Sequence, residues 1–201
     1  MGKGEKEKKD LYIEGIQNNG IISHYEYIVN GEGMIEIRHI LKPEGKMPLW
    51  FPRIGLTLTV SDALDQVKWY GRGPQENYPD RKTGYPTGIY SSTVQDMYEP
   101  YLMPQDYGLR TDVRWLQLTA DKGIGLQIKM DEWFNFNIYP YSTDNLTKAM
   151  YTYQLQKQNS ITLNLDYATT GVGCTARGVF GAYKAMPQEY RRTISIRPMM
   201  K

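Results

Sequence analysis

Hydrolysis of a glycosidic bond needs two carboxyl groups facing each other, about 5 to 5.5 Å apart for retention or about 6.5 to 9.5 Å for inversion. The sequence offers three acidic pairs: Glu76 with Asp80, Glu99 with Asp106, and Asp131 with Glu132. They lie among turn formers, and Arg72, Arg81 and Arg110 are nearby in the chain, so turn formation and ion pairing are the simpler reading of each pair. Thiol catalysis would need Cys174 beside His24 or His39. Cys174 sits in the turn-like run Gly171-Val172-Gly173-Cys174 with no activating neighbour, while His39 alternates with Ile37 and Leu41 and reads as a hydrogen-bonded core histidine. One cysteine and two histidines are too few for a histidine-rich metal site, and the single thiol closes no disulfide within the chain. Gly71-Arg72-Gly73-Pro74 imitates a phosphate loop, but no helix follows it and Pro74 lacks an N–H. We therefore expect no catalytic residue, no metal ligand and no cofactor site in this chain.

The elements that hold these residues read as strands. Period-two alternation places Ile35, Ile37 and Leu41 on one face, then Leu56 and Leu58, then Ile124, Leu126, Ile128 and Met130. Phe134, Phe136 and Ile138 repeat the pattern, as do Ile161, Leu163 and Leu165, with Ile194 and Ile196 near the end. These are expected to be half-buried strands. Turn formers separate them at Asn18-Asn19-Gly20, Asn30-Gly31, Asp121-Lys122-Gly123 and Lys157-Gln158-Asn159, which predicts antiparallel neighbours. One short helix is expected from Ser142-Thr143-Asp144 through Ala149, because those side chains can accept from the free amides of a first turn. No strand alternates with a long helix, which excludes a Rossmann sheet and a (β/α)₈ barrel. The segments Trp69 to Tyr90 and Tyr98 to Gly108, rich in Gly, Pro and Tyr, read as long ordered loops.

The 201 residues suit one domain, expected over 11–201, and enough surface is buried at this length for packing alone to supply stability. With 24 basic and 22 acidic side chains the net charge is +2, too balanced for a phosphate-neutralising surface, so nucleic acid is not an expected partner. No apolar stretch is long enough to span a membrane, and the charged opening 1–10 reads as a solvated tail of the kind an expression vector adds. A soluble chain of the cytoplasm or the periplasm is expected. The 17 tyrosines and 4 tryptophans against 4 phenylalanines give most rings a polar handle, as in half-buried strands and sugar-facing surfaces.

The run Gly73-Pro74-Gln75-Glu76-Asn77-Tyr78-Pro79-Asp80-Arg81 closely resembles a signature of the C-terminal, small-chain β-sandwich of glycoside hydrolase family 2 β-galactosidases. It is followed in that family's order by Met97-Tyr98-Glu99-Pro100-Tyr101, Pro104-Gln105-Asp106-Tyr107-Gly108-Leu109-Arg110, Phe134-Asn135-Phe136-Asn137 and Gly171-Val172-Gly173. The resemblance spans about residues 20 to 197. It implies an all-β, antiparallel, galactose-mutarotase-like supersandwich, shortened at its N-terminal side relative to the family, whose Arg-Ala-Pro-Leu-Asp-Asn-Asp-like stretch is not found here. The same resemblance puts the catalytic glutamates on a separate (β/α)₈ barrel of the parent polypeptide, the domain's expected partner, with β-galactoside hydrolysis and retention as the parent's reaction.

What the resemblance implies for this chain is a non-catalytic domain that braces the barrel, lends a loop to the rim of its active site, meets carbohydrate through the parent and oligomerises, if at all, through it. Where a well-studied family pattern reads Gly-Ile-Gly-Gly-Asp-Asp-Ser-Trp, this chain has Gly171 to Gly178, with Gly178 in place of the tryptophan that walls the sugar pocket. Cys174, Thr175, Arg177, Gly178 and Phe180 are the expected rim residues, and Arg177 or Phe180 would replace the lost ring. The nine-residue signature is expected to be structural: Asn77, Asp80 and Arg81 satisfy turn groups, Pro74 and Pro79 fix backbone angles, and Tyr78 packs. Two rival functions stand beside this one: a carbohydrate-binding module, and a mutarotase-like epimerase, which would need a base and an acid, commonly Glu with His.

Overall fold

A computed structural model describes residues 5–14, 20–120, 123–174 and 178–200. Among the described residues, twelve strands form two antiparallel sheets. The larger is built from β1 (Glu5–Glu14), β2 (Gly20–Val29), β3 (Ile35–Glu44), β5 (Gln66–Arg72), β6 (Thr87–Thr93), β8 (Trp115–Thr119), β9 (Gly125–Met130) and β12 (Tyr190–Met199), in the order β1-β2-β3-β12-β9-β8-β5-β6. The smaller takes β4 (Arg53–Ser61), β7 (Arg110–Val113), β10 (Phe134–Tyr139) and β11 (Ser160–Thr169), in the order β4-β11-β10-β7. Helix α1 spans Thr143–Lys148, capped by Ser142, whose hydroxyl accepts from the Asn145 amide at 3.0 Å.

The alternation seen in the sequence becomes the interface between the sheets. Ile37, Val67, Trp69, Leu116, Leu118, Ile128 and Ile194 of the larger sheet pack against Ile54, Val113, Phe134, Phe136, Ile138, Leu163 and Leu165 of the smaller. Each such side chain, taken wholly out of water, contributes about 1.5 to 3 kcal/mol against the entropy of ordering the chain. The Trp69 and Phe136 rings meet edge to face at 5.9 Å, and the Trp69 indole N–H donates to the Arg72 carbonyl at 3.0 Å, so the largest core ring is both packed and satisfied. His39 lies in this core as expected of it, between the Ser23 hydroxyl at 2.8 Å and the Tyr167 hydroxyl at 2.6 Å, stacked on Tyr25.

Three readings change. The Gly- and Pro-rich stretch from Trp69 to Tyr90 is loop only in its middle, since its ends belong to β5 and β6; Val67, Trp69 and Gly71 alternate inward there, a pattern hidden by the glycines beside it. Most of the charged opening pairs as β1 with β2, from Glu5 opposite Val29 to Glu14 opposite Gly20, because backbone hydrogen bonding asks for no apolar side chains. Finally, β11 is buried on both faces rather than one, since its polar positions Thr162, Asn164 and Asp166 are covered as well as its apolar ones. A second, smaller cluster of Tyr107, Tyr139, Tyr141 and Leu146 seats α1 on the outer side of the smaller sheet and explains that cover.

Candidate functional site

The face of the smaller sheet turned away from the core carries the alternate residues of β10 and β11. Asn137 and Asn164 are buried there, joined by the Asn164 amide donating to the Asn137 carbonyl at 2.8 Å and to the Tyr139 hydroxyl at 2.8 Å. Thr57 of β4 donates to the Asn164 carbonyl at 2.7 Å. Arg53, at the start of β4, reaches across with Nε to Asp166 Oδ1 at 3.0 Å, with a second, short contact to Asp166 Oδ2, and with Nη2 to the Asn137 carbonyl at 3.1 Å. Burial works against the Arg53 cation, but Asp166 and Asp106 outweigh it and hold its pKa above the ordinary guanidinium value. A buried charge with a bidentate partner has one low-energy arrangement, so the network fixes this face.

The loop between β5 and β6 crosses this face and carries the nine-residue signature. Its Gly73–Pro74 peptide is cis. Glu76 is buried, with Oε2 accepting from the Tyr78 hydroxyl at 3.1 Å and the Gly108 amide at 2.9 Å. Its Oε1 accepts from Arg81 at 2.9 Å and from the Tyr101 hydroxyl in a short bond. Burial and that carboxylate push Tyr101 up to about 12. Asn77, fully buried, accepts from the Thr111 amide at 3.0 Å and hydroxyl at 2.5 Å and donates to the Gln75 carbonyl at 3.1 Å. The signature thus ties three segments together: its own loop, the loop from Tyr98 to Gly108, and β7.

Asp80 makes the link to the segment expected at the rim. Its two carboxylate oxygens accept from the Val172 amide at 3.1 Å and the Gly173 amide at 2.7 Å. Gly171 lies so close that a Cβ there would stand 2.3 Å from the Asp80 carboxyl carbon, and Gly173 has φ of +66°, so the run Gly171-Val172-Gly173 is shaped for this clamp. Beyond it Cys174 and Gly178 are exposed, and Phe180 is 66 % exposed. Asp80, Cys174, Gly178, Phe180 and Tyr183 border a cavity of about 410 Å³. Thr175 and Arg177 lie outside the described residues. A second cavity, of about 490 Å³, opens on the other side of the clamp, bordered by Arg53, Tyr101, Gln105, Asp106, Thr170 and Val172.

Two of the three acidic pairs are engaged by the protein itself, while Glu99 of the third is half-buried, its pKa raised by burial and by the nearby Glu76. Glu76 and Asp80 are saturated by the bonds above, Asp131 accepts from the Thr193 amide at 3.0 Å, and Glu132 pairs with Arg192 at 2.8 Å. Asp106 differs: Arg53 at 3.2 Å, Asn137 at 2.7 Å and Tyr139 at 3.3 Å all donate to its Oδ1. Neither cavity is bordered by a histidine, and no three His, Cys, Asp or Glu side chains converge among the described residues. Nor is any helix among them long and apolar enough to cross a membrane. Sequence reasoning missed Arg53, Asn137, Asn164 and Asp166; their one local signal was polar residues alternating with Phe136, Leu163 and Leu165, which also describes a solvated face.

Comparison with known proteins follows the same segments. The model of a family described as β-galactosidase small chain matches residues 4–196. A β-galactosidase of Priestia megaterium is 38 % identical over 164 residues, 81 % of this chain and 16 % of that protein. One from Lactococcus lactis is 35 % identical over 180 residues, 82 % of this chain and 18 % of that protein, and one from Vibrio cholerae is 36 % identical over 152 residues, 75 % of this chain and 14 % of that protein. The chain spans less than a fifth of the length of these relatives. Among solved structures, a GalM/aldose epimerase homologue from C. elegans superposes with a TM-score of 0.52 at 13 % identity, over 98 % of this chain and 66 % of that one. Likeness at that identity carries the fold alone, a galactose-mutarotase-like supersandwich.

Proposed function

Because the chain belongs to the β-galactosidase small-chain family, we propose that it is the non-catalytic sandwich of a family 2 β-galactosidase, braced against a (β/α)₈ barrel that hydrolyses the β-galactoside with retention. The observation that carries this reading is the clamp: a surface loop, Gly171 to Gly173, held by Asp80 with an exposed aromatic, Phe180, just beyond it. A loop that presents an apolar ring to solvent while its base is fixed is suited to complete a pocket formed by another domain. The saturated state of Glu76 and Asp80 agrees with carboxylate chemistry being done elsewhere. In this reading the chain holds no cofactor of its own, and carbohydrate and any oligomer come through the parent.

The test is made in the full-length enzyme. Phe180→Ala should raise KM for a β-galactoside about 2- to 10-fold, the loss of one ring contact, with kcat changed less. Unaltered kinetics would remove Phe180 from the rim.

A further inference from the structure

The cavity beside Arg53 has a feature that the bracing role does not use. Asp106 receives three donors, from Arg53, Asn137 and Tyr139, all on Oδ1, while Oδ2 has no partner among the described residues. The carboxylate is therefore locked by one oxygen, and its side chain, half-exposed, borders the cavity. Gln105 stands next to it, exposed, its amide making no hydrogen bond among the described residues. Tyr101, Pro52 and Val172 supply apolar wall. At about 490 Å³ the space is of ordinary small-molecule size, about 300 to 1000 Å³.

Charge decides what it suits. The two guanidinium groups at the border, Arg53 and Arg81, are each matched from behind by a buried carboxylate, Asp166 and Glu76, so no cation is left over for an anionic ligand. A single open carboxylate oxygen is not a metal site. A fixed carboxylate oxygen beside a free amide does match adjacent hydroxyls: the carboxylate accepts one O–H in a charge-assisted bond, and the amide both donates and accepts. An aromatic wall covers the C–H face of such a ring. We propose that this cavity binds a neutral pyranoside, held by Asp106 and Gln105 against Tyr101, which makes the chain a carbohydrate binder in its own right. The preformed geometry of Asp106 lowers the ordering cost on binding.

The experiment is a titration of the 201-residue chain with galactose, methyl β-galactoside and lactose, followed by amide NMR shifts. Saturable, millimolar shifts are expected at the Gln105 side-chain amide and at the backbone of 105–106 and 169–172. Gln105→Ala, an exposed change that leaves the fold intact, should weaken binding about 3- to 10-fold, and Asp106→Asn, which keeps Oδ1, should weaken it at least as much. Absence of saturable shifts with all three sugars, shifts that map to another face, or equal affinity in both variants would each overturn the assignment. None of these outcomes bears on the rim reading, which is tested in the full-length enzyme.

Discussion

Single side chains hold this structure together through polar groups that have no second choice of partner. Asn77 is the plainest: replacing it by alanine strands the Thr111 amide and hydroxyl and the Gln75 carbonyl, all in a buried setting. Each orphaned group costs about 1 to 3 kcal/mol, and partial relaxation brings the expected loss for Asn77→Ala to about 3 kcal/mol, read as a fall in the urea midpoint. His39 gives a pH signature. Burial, and secondly the nearby His24, lower its pKa to about 4, with Tyr25 stacked on the ring, Tyr167 on Nδ1, and Arg192 over the Tyr167 ring. Between pH 6.5 and about 4 the unfolded chain takes up a proton that the folded one refuses, so stability falls as the pH drops through that window, by up to about 3 kcal/mol. Denaturation of the parent chain at pH 7 and pH 5 should show this loss, and His39→Gln should flatten it; identical pH slopes would mean that His39 is not its source.

At the level of strands and loops, alternation made β3, β9, β10 and β12 legible, because a period of two maps directly onto the pleat. Helix α1 was legible from Ser142, since a capping hydroxyl acts on its own next turn. What alternation hid was cover. Asn164 and Asp166 alternate with Leu163 and Leu165 as a solvated face would, and only the long-range arrival of the Tyr98 to Gly108 loop and Arg53 makes them buried. The open Asp106 oxygen could not be read either, since the three donors that fix it come from β4 and β10. The clamp by Asp80 is another such contact, joining residues 92 and 93 positions apart. Asp80→Ala should release it, raising amide exchange at Val172 and Gly173 by at least about tenfold while β10 and β11 keep their protection. Unchanged exchange at those two amides would show that the loop is held by other means.

For the molecule as a whole, the fold class followed from composition and period, and the family from the signature around Glu76, whereas the proposed division of labour between this chain and a barrel is a matter for experiment. Glu76 and Asp80 are taken up by hydrogen bonds within the domain, Asp106 is locked on one oxygen, and neither described cavity is bordered by a histidine. A sheet sandwich of this size leaves no room for a (β/α)₈ barrel, which takes about 250 residues. The decisive measurement is release of product from a chromogenic β-galactoside by the purified 201-residue chain, beside the full-length enzyme at equal molar concentration. We predict turnover by the full-length enzyme and none above buffer by the chain alone; steady hydrolysis by the chain, abolished by removing one of its own carboxylates, would contradict the account.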